Sequence, residues 1–266
     1  MDIRAVKFRV GHEWRVGGLY LPTRPGPAPA VLMLHGFPGA QQNEDIAIEL
    51  CRQGMTVFMP RYRGCWGSAG EFSIPGLAVD AEAAFRLLSR YHHVDKARVA
   101  VLGYSLGGWV ALRLAAKRRF AAVAVMAPGW PRDDQPADAV YLRKSAKVLN
   151  APQLRRIWRD YLSAARRERP EACMPRISPT PLLIVQGRRD KLVPPSTASE
   201  LYALARGPKR LLELPEEGHE FLENRREVVT AVAGWLAAAL GGAAIDVRYR
   251  RHFRHEATMA RRAPLR

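Results

Sequence analysis

Residues 98–117 read RVAVLGYSLGGWVALRLAAK. An apolar run, Arg98–Leu102, stops at Gly103. Ser105 stands between that glycine and the pair Gly107-Gly108, and from Leu106 onward the apolar residues recur at helical spacing. A strand that becomes a helix within so few residues strains the residue at the turn, so its neighbours must be small. Gly103 and Gly107 meet that need. Ser105 is therefore predicted to project its hydroxyl above the end of a sheet, at the N-terminus of the next helix. The plainer alternative is a glycine-rich turn whose serine only caps the helix.

Outward from this stretch the chain keeps one rhythm. Ala30–Leu34, Thr56–Met59, Ala121–Met126, Leu182–Val185 and Arg210–Leu214 are further short apolar runs, most of them too continuous for strands with a wet face. Helical patterns lie between them near 44–53, 76–91, 106–117, 196–206 and 221–240. The alternation predicts an α/β fold with a mostly parallel sheet covered by helices on both faces. Two alternating segments near 3–9 and 13–21 predict an edge hairpin, and the proline-rich run 22–27 a rigid connector. Residues 128–179 hold no core strand. A structureless loop of that length is unexpected in a compact domain, so they are read as a helical lid insertion over one end of the sheet. Residues 1–242 then form one domain, and 243–266 a basic extension.

Composition sets the outer limits. With 266 residues, 48% of them hydrophobic, the chain can bury a substantial core, which excludes general disorder. Three cysteines (Cys51, Cys65 and Cys173) with no paired spacing exclude a disulfide scaffold and a cysteine-based metal site. No apolar run is long enough to span a membrane, and residues 1–10 alternate charge with apolar side chains, unlike a leader; a cytoplasmic protein is expected. The net charge is +17. Much of it lies in 143–169 and in the tail 248–266; in 143–169 it reads as solvated surface, though it would also suit the phosphates of a coenzyme A ester or an acidic acyl chain. No nucleic-acid module accompanies it, so a nucleic-acid partner is not expected.

A serine hydroxyl needs a base to act as a nucleophile, and the base needs an acid to orient it. His219, in Leu214–Phe221, follows the last strand and precedes the last helix. Parallel strands share their carboxyl ends, so this loop opens beside Ser105. His12, His92, His93, His252 and His255 have no equivalent position. Asp190 follows the strand Leu182–Gly187 and completes the order Ser105, Asp190, His219; Asp133, Asp134 and Asp160 fall in the insertion. Acyl transfer also needs donors for an oxyanion. The backbone N–H groups of Leu106 and of Phe37, in His35-Gly36-Phe37-Pro38-Gly39, are the candidates, since Pro38 cannot donate. His35 is read as a structural tie for its loop.

The pieces HGFPG (35–39), GYSLGG (103–108), QGRRDKLVPP (186–195) and LPEEGHEF (214–221) together resemble the α/β-hydrolase superfamily, and Pro60–Phe72 resembles a loop of its esterase and prolyl-oligopeptidase-like branch. The resemblance implies an α/β-hydrolase fold and a serine hydrolase with catalytic Ser105, Asp190 and His219, without metal or organic cofactor. Fewer than 35 residues precede the first motif, so no propeller is expected and an esterase acting on a small acyl ester is favoured. A thioesterase or acyltransferase would use the same residues. A binding protein on this scaffold is the alternative outside enzymes.

Overall fold

The computed structural model describes residues 1–38, 42–130, 149–151, 154–167 and 169–241. The sequence expectations for Asp133, Asp134 and the 243–266 extension lie outside them. Eight strands form one sheet: β1 (Asp2–Val10), β2 (Glu13–Leu21), β3 (Ala28–Leu34), β4 (Thr56–Pro60), β5 (Val94–Tyr104), β6 (Ala122–Met126), β7 (Leu182–Gly187) and β8 (Lys209–Leu214). Their spatial order is β1-β2-β4-β3-β5-β6-β7-β8. The hairpin β1–β2 joins the edge antiparallel, and β4 through β8 run parallel.

The continuous apolar runs have a direct explanation in the packing. Every residue of β3 is buried, and successive residues serve different cores. Ala30, Leu32 and Leu34, with Val101, Val123 and Ile184, pack under α2 (Ile74–Arg90), α3 (Leu106–Ala115) and α5 (Pro195–Leu204). Val31 and Met33, with Leu102, Ala124 and Val185, pack under α1 (Glu44–Arg52) and α6 (Arg225–Ala239). Each fully buried large aliphatic side chain contributes about 1.5–3 kcal/mol of transfer free energy. The outermost strand β8 departs from the pattern and is only half buried, because no strand covers its far edge.

Element ends shift for local reasons. Helix α2 starts at Ile74 because Ser73 caps it, its hydroxyl accepting the Gly76 N–H at 3.2 Å. Helix α6 starts only at Arg225, which leaves 215–224 as the loop that carries His219. Within 128–179 the described residues include helix α4 (Leu154–Arg167), a short turn Pro170–Cys173 and a 3-10 turn Met174–Arg176. Ile157, Ala164, Met174 and Ile177 join the core on the α2 and α3 side. Asn150 exchanges backbone bonds with the loop after β4, donating to Gly64 O at 2.8 Å and accepting from Phe72 N at 2.9 Å. The charges of α4 face outward: Arg155, Arg156, Arg159, Arg166 and Arg167 are all exposed.

That loop after β4 is anchored by a buried ion network. Asp80 of α2 accepts from Arg15 Nε at 3.2 Å, Arg63 N at 2.8 Å, Arg63 Nε at 3.1 Å and Arg63 Nη2 at 2.9 Å. Arg15 is itself 0% exposed and also donates to Trp14 O, Ala69 O and Glu13. The Arg63 guanidinium lies over Gly76, where a Cβ would come within 2.3 Å of its Nε.

Candidate active site

Ser105 adopts φ 52° and ψ −121°, a conformation that L residues rarely hold and that costs about 1–3 kcal/mol. Backbone bonds over-determine it. Ser105 N donates to Met126 O at 2.9 Å, and Ser105 O accepts from Gly129 N at 3.0 Å and Gly108 N at 2.8 Å. The flanking glycines are obligatory. A Cβ on Gly103 would lie 2.3 Å from Gly107 O, and one on Gly107 would lie 2.3 Å from Leu34 O. The start of α3 is thus in backbone contact with β3 and β5.

His219 reaches this turn from the far end of the sheet. Its Nε2 lies 3.0 Å from Ser105 Oγ and its Nδ1 lies 2.8 Å from Asp190 Oδ2. With the Nδ1 proton directed at the carboxylate, Nε2 is left as the acceptor for the serine hydroxyl. All three residues are buried. The His219 backbone is held by the Tyr104 hydroxyl, which donates to His219 O at 3.2 Å, and the two rings lie 5.3 Å apart. Asp190 is held as firmly. Its Oδ1 accepts from Leu192 N at 2.9 Å and Val193 N at 2.8 Å, and its Oδ2 accepts from Gln186 Nε2 at 3.1 Å.

The loop after β3 passes directly beside the serine. A Cβ on Gly36 would lie 3.0 Å from Ser105 Cβ and 3.1 Å from Tyr104 Cδ1, a tight fit that a larger residue could take only if these side chains gave way by a few tenths of an ångström. Phe37 follows, its ring edge-on to Phe72 at 5.2 Å. Leu106 opens α3, where the first N–H groups have no partner within the helix. His35 is spoken for on both nitrogens: Nδ1 donates to Gly36 O at 2.8 Å, and Nε2 accepts from Tyr62 N at 3.2 Å. Burial pushes its pKa down to about 4, so it stays neutral at pH 7 and ties two loops together. Among the described residues no three His, Cys, Asp or Glu side chains gather where they could hold a metal ion, and no helix is long and apolar enough to cross a membrane.

Ser105, Asp190 and His219 are therefore brought into one hydrogen-bonded series, and Phe37 and Leu106 flank it. Asp160 lies on α4, outside the series. Sequence reasoning missed Gln186, Glu217 and Tyr104. Glu217 is 1% exposed and accepts the backbone N–H groups of Glu223 and Asn224, fastening the His219 loop to the start of α6. Nothing in its local sequence separates it from a surface glutamate. Gln186 did carry a signal, as a polar residue closing an otherwise apolar strand.

Residues 31–232 match the model of the alpha/beta hydrolase family. The chain belongs to the alpha/beta hydrolase family. Rv2307c of Mycobacterium tuberculosis is 34% identical over 218 residues, covering 79% of this chain and 71% of its own length. Polyketide transferase ATR5 of Stachybotrys chlorohalonatus is 24% identical over 248 residues, covering 72% of this chain and 81% of its own. The alpha/beta hydrolase GrgF from Penicillium superposes with a TM-score of 0.74 at 20% identity, covering 91% of this chain and 100% of its own. Est1E from Butyrivibrio proteoclasticus, solved with ferulic acid bound, gives a TM-score of 0.74 at 18% identity, covering 89% and 100%. These two likenesses are of fold.

Proposed function

We propose that the protein is a serine hydrolase that cleaves carboxylic esters through an acyl-enzyme intermediate. The observation that carries the reading is the buried series Ser105 Oγ, His219 Nε2, His219 Nδ1, Asp190 Oδ2, with links of 3.0 and 2.8 Å. Ser105 attacks the acyl carbonyl as His219 takes its proton. The N–H groups of Leu106 and Phe37 receive the oxyanion, each donor contributing about 3–4 kcal/mol to the barrier's reduction. His219 then protonates the leaving alcohol. Water, deprotonated by His219, releases the acid and restores Ser105. Asp190 keeps His219 in the needed tautomer and stabilises the imidazolium.

Trp130 forms the acyl-side wall in this reading. The support is positional: Trp130 is 4% exposed and adjoins Gly129, whose N–H binds Ser105 O. Trp158, the other tryptophan of the insertion at 128–179, is half-buried and stacks on Tyr161 at 5.3 Å.

A fluorophosphonate probe tests the central claim. The parent chain is expected to label and to hydrolyse p-nitrophenyl acetate. Ser105→Ala is expected to lose labelling and about three orders of magnitude in kcat while remaining folded. Near-parental turnover by Ser105→Ala refutes the assignment, and a parent that never labels returns the chain to a binding role. The likeness to a polyketide transferase favours a second reading, in which an acceptor other than water takes the acyl group. Faster turnover of acetyl-coenzyme A than of p-nitrophenyl acetate, or ester formation with added alcohols, would select a thioesterase or transferase.

A further inference from the structure

Gln186 is the penultimate residue of β7, after Leu182-Leu183-Ile184-Val185, and is 0% exposed. A buried amide is costly unless its donors are used. Its Nε2 lies 3.1 Å from Asp190 Oδ2, 3.2 Å from Gly187 O and 3.4 Å from Val193 O. Three acceptors converge on this one nitrogen, which fixes the amide orientation: turned the other way, Oε1 would face all three. The Asp190 oxygen is the nearest of them and the one that carries charge. It is also the oxygen that receives His219 Nδ1.

We propose that Gln186 is a positioning residue: by donating to Asp190 Oδ2 it locks the carboxylate toward His219 and moderates its pull on the imidazolium. The inference rests on the Ser105–His219–Asp190 reading above. The four donors to Asp190 (Leu192 N, Val193 N, Gln186 Nε2 and His219 Nδ1) match the roughly four lone-pair sites of a carboxylate. Without Gln186, Oδ2 keeps only the imidazole as donor. The carboxylate then has one fewer restraint on its torsion, and its less compensated charge favours the protonated imidazole, so the base stays blocked to higher pH. The other ionisable groups nearby are otherwise engaged. The Tyr104 hydroxyl donates to His219 O, the Glu217 carboxylate is held by two backbone N–H groups, and Arg188 and Arg189 pair with Glu213 and Glu216.

The test measures the second-order rate of fluorophosphonate labelling of the full chain from pH 5 to 9, which needs no natural substrate. Gln186→Met keeps volume and removes the donor. Its plateau rate is expected to fall about tenfold, and the midpoint of its acidic limb to move up by about half a pH unit or more. Gln186→Glu can donate only while its carboxyl is protonated. Its rate relative to the parent is therefore expected to decline as pH rises, with the ratio highest at the acid end. A Gln186→Met protein with the parent's limb and plateau overturns the proposal, whatever its melting temperature, because a packing role moves stability alone. Should that variant fail to fold, a Gln186→Glu ratio that does not change with pH overturns it equally. A parent that does not label refutes the serine-hydrolase reading and this inference with it. A parent that labels beside unmoved variants refutes the inference alone.

Discussion

Replacing Asp80 by alanine would leave Arg15 buried with its main counter-charge gone. Asp80 and Arg15 are 1% and 0% exposed, and Asp80 receives four donor contacts from Arg15 and Arg63. Breaking a buried pair from one side costs about 3–5 kcal/mol, since the surviving ion stays desolvated. Arg15 keeps Glu13 at 2.8 Å and two carbonyls, which points to the lower half of that range. For a domain of this size the loss corresponds to a melting temperature lower by roughly 6–16 °C. Function should suffer as well, because the loop that Arg63 anchors supplies Tyr62 N to His35 and Phe72 to Phe37. Urea titration followed by tryptophan fluorescence reads the stability, and fluorophosphonate labelling of the folded variant reads the site. Asp80→Asn keeps one acceptor and should fall between alanine and parent. An Asp80→Ala protein within about 1 kcal/mol of the parent would show that Glu13 and the carbonyls satisfy Arg15 alone, and the anchoring argument would be wrong.

His35 predicts a pH dependence of stability. An unfolded histidine takes up its proton near 6.5, whereas folded His35 resists until about 4. The unfolded state therefore binds more protons between those values, and stability falls as pH drops through that window, by up to about 3 kcal/mol. His35→Asn should be less stable at pH 7 yet lose less between pH 7 and 4.5; urea midpoints with slopes parallel to the parent's would disprove it. Trp130→Ala should shift kcat/KM between acetyl and longer acyl esters by up to about 1–3 kcal/mol and lower stability by about 3–5 kcal/mol. An unchanged acyl-length profile across p-nitrophenyl esters would remove Trp130 from the pocket wall.

The parts of the fold legible in the sequence were those with a local cause. Continuous apolar runs marked the strands buried on both faces, and Gly103, Ser105 and Gly107 marked the turn because its strain admits few residue types. His219 and Asp190 followed from chain order, since parallel strands deliver their loops to one edge. Arg15, Arg63 and Asp80 were not legible. They are 65 and 17 residues apart from Asp80 at Arg15 and Arg63 respectively, and charged residues in sequence default to the surface. Glu217 was hidden in the same way, since its partners are backbone N–H groups that leave no signature. The close fit at Gly36 was equally silent: it comes from Ser105 Cβ, brought there only by the pairing of β3 with β5.

The two-sided burial of β3 has a further consequence for how the chain finds its register. A strand with one wet face is registered by polarity, because a slip of one residue would expose its apolar set. Ala28–Leu34 has no wet face, so a slipped strand would still be apolar toward both helix layers. Shape has to discriminate instead: Ala30, Leu32 and Leu34 fit one layer, Val31 and Met33 the other. The ends add what shape leaves open. Ala28 N is bonded to His93 O at 2.8 Å, and past Leu34 the imidazole of His35 must meet Tyr62 N. A slip in either direction would break both ties and drive Leu34 O away from Gly107, on which the serine turn rests. The polar fittings around Ser105 thus also serve as the stops that align the central strand.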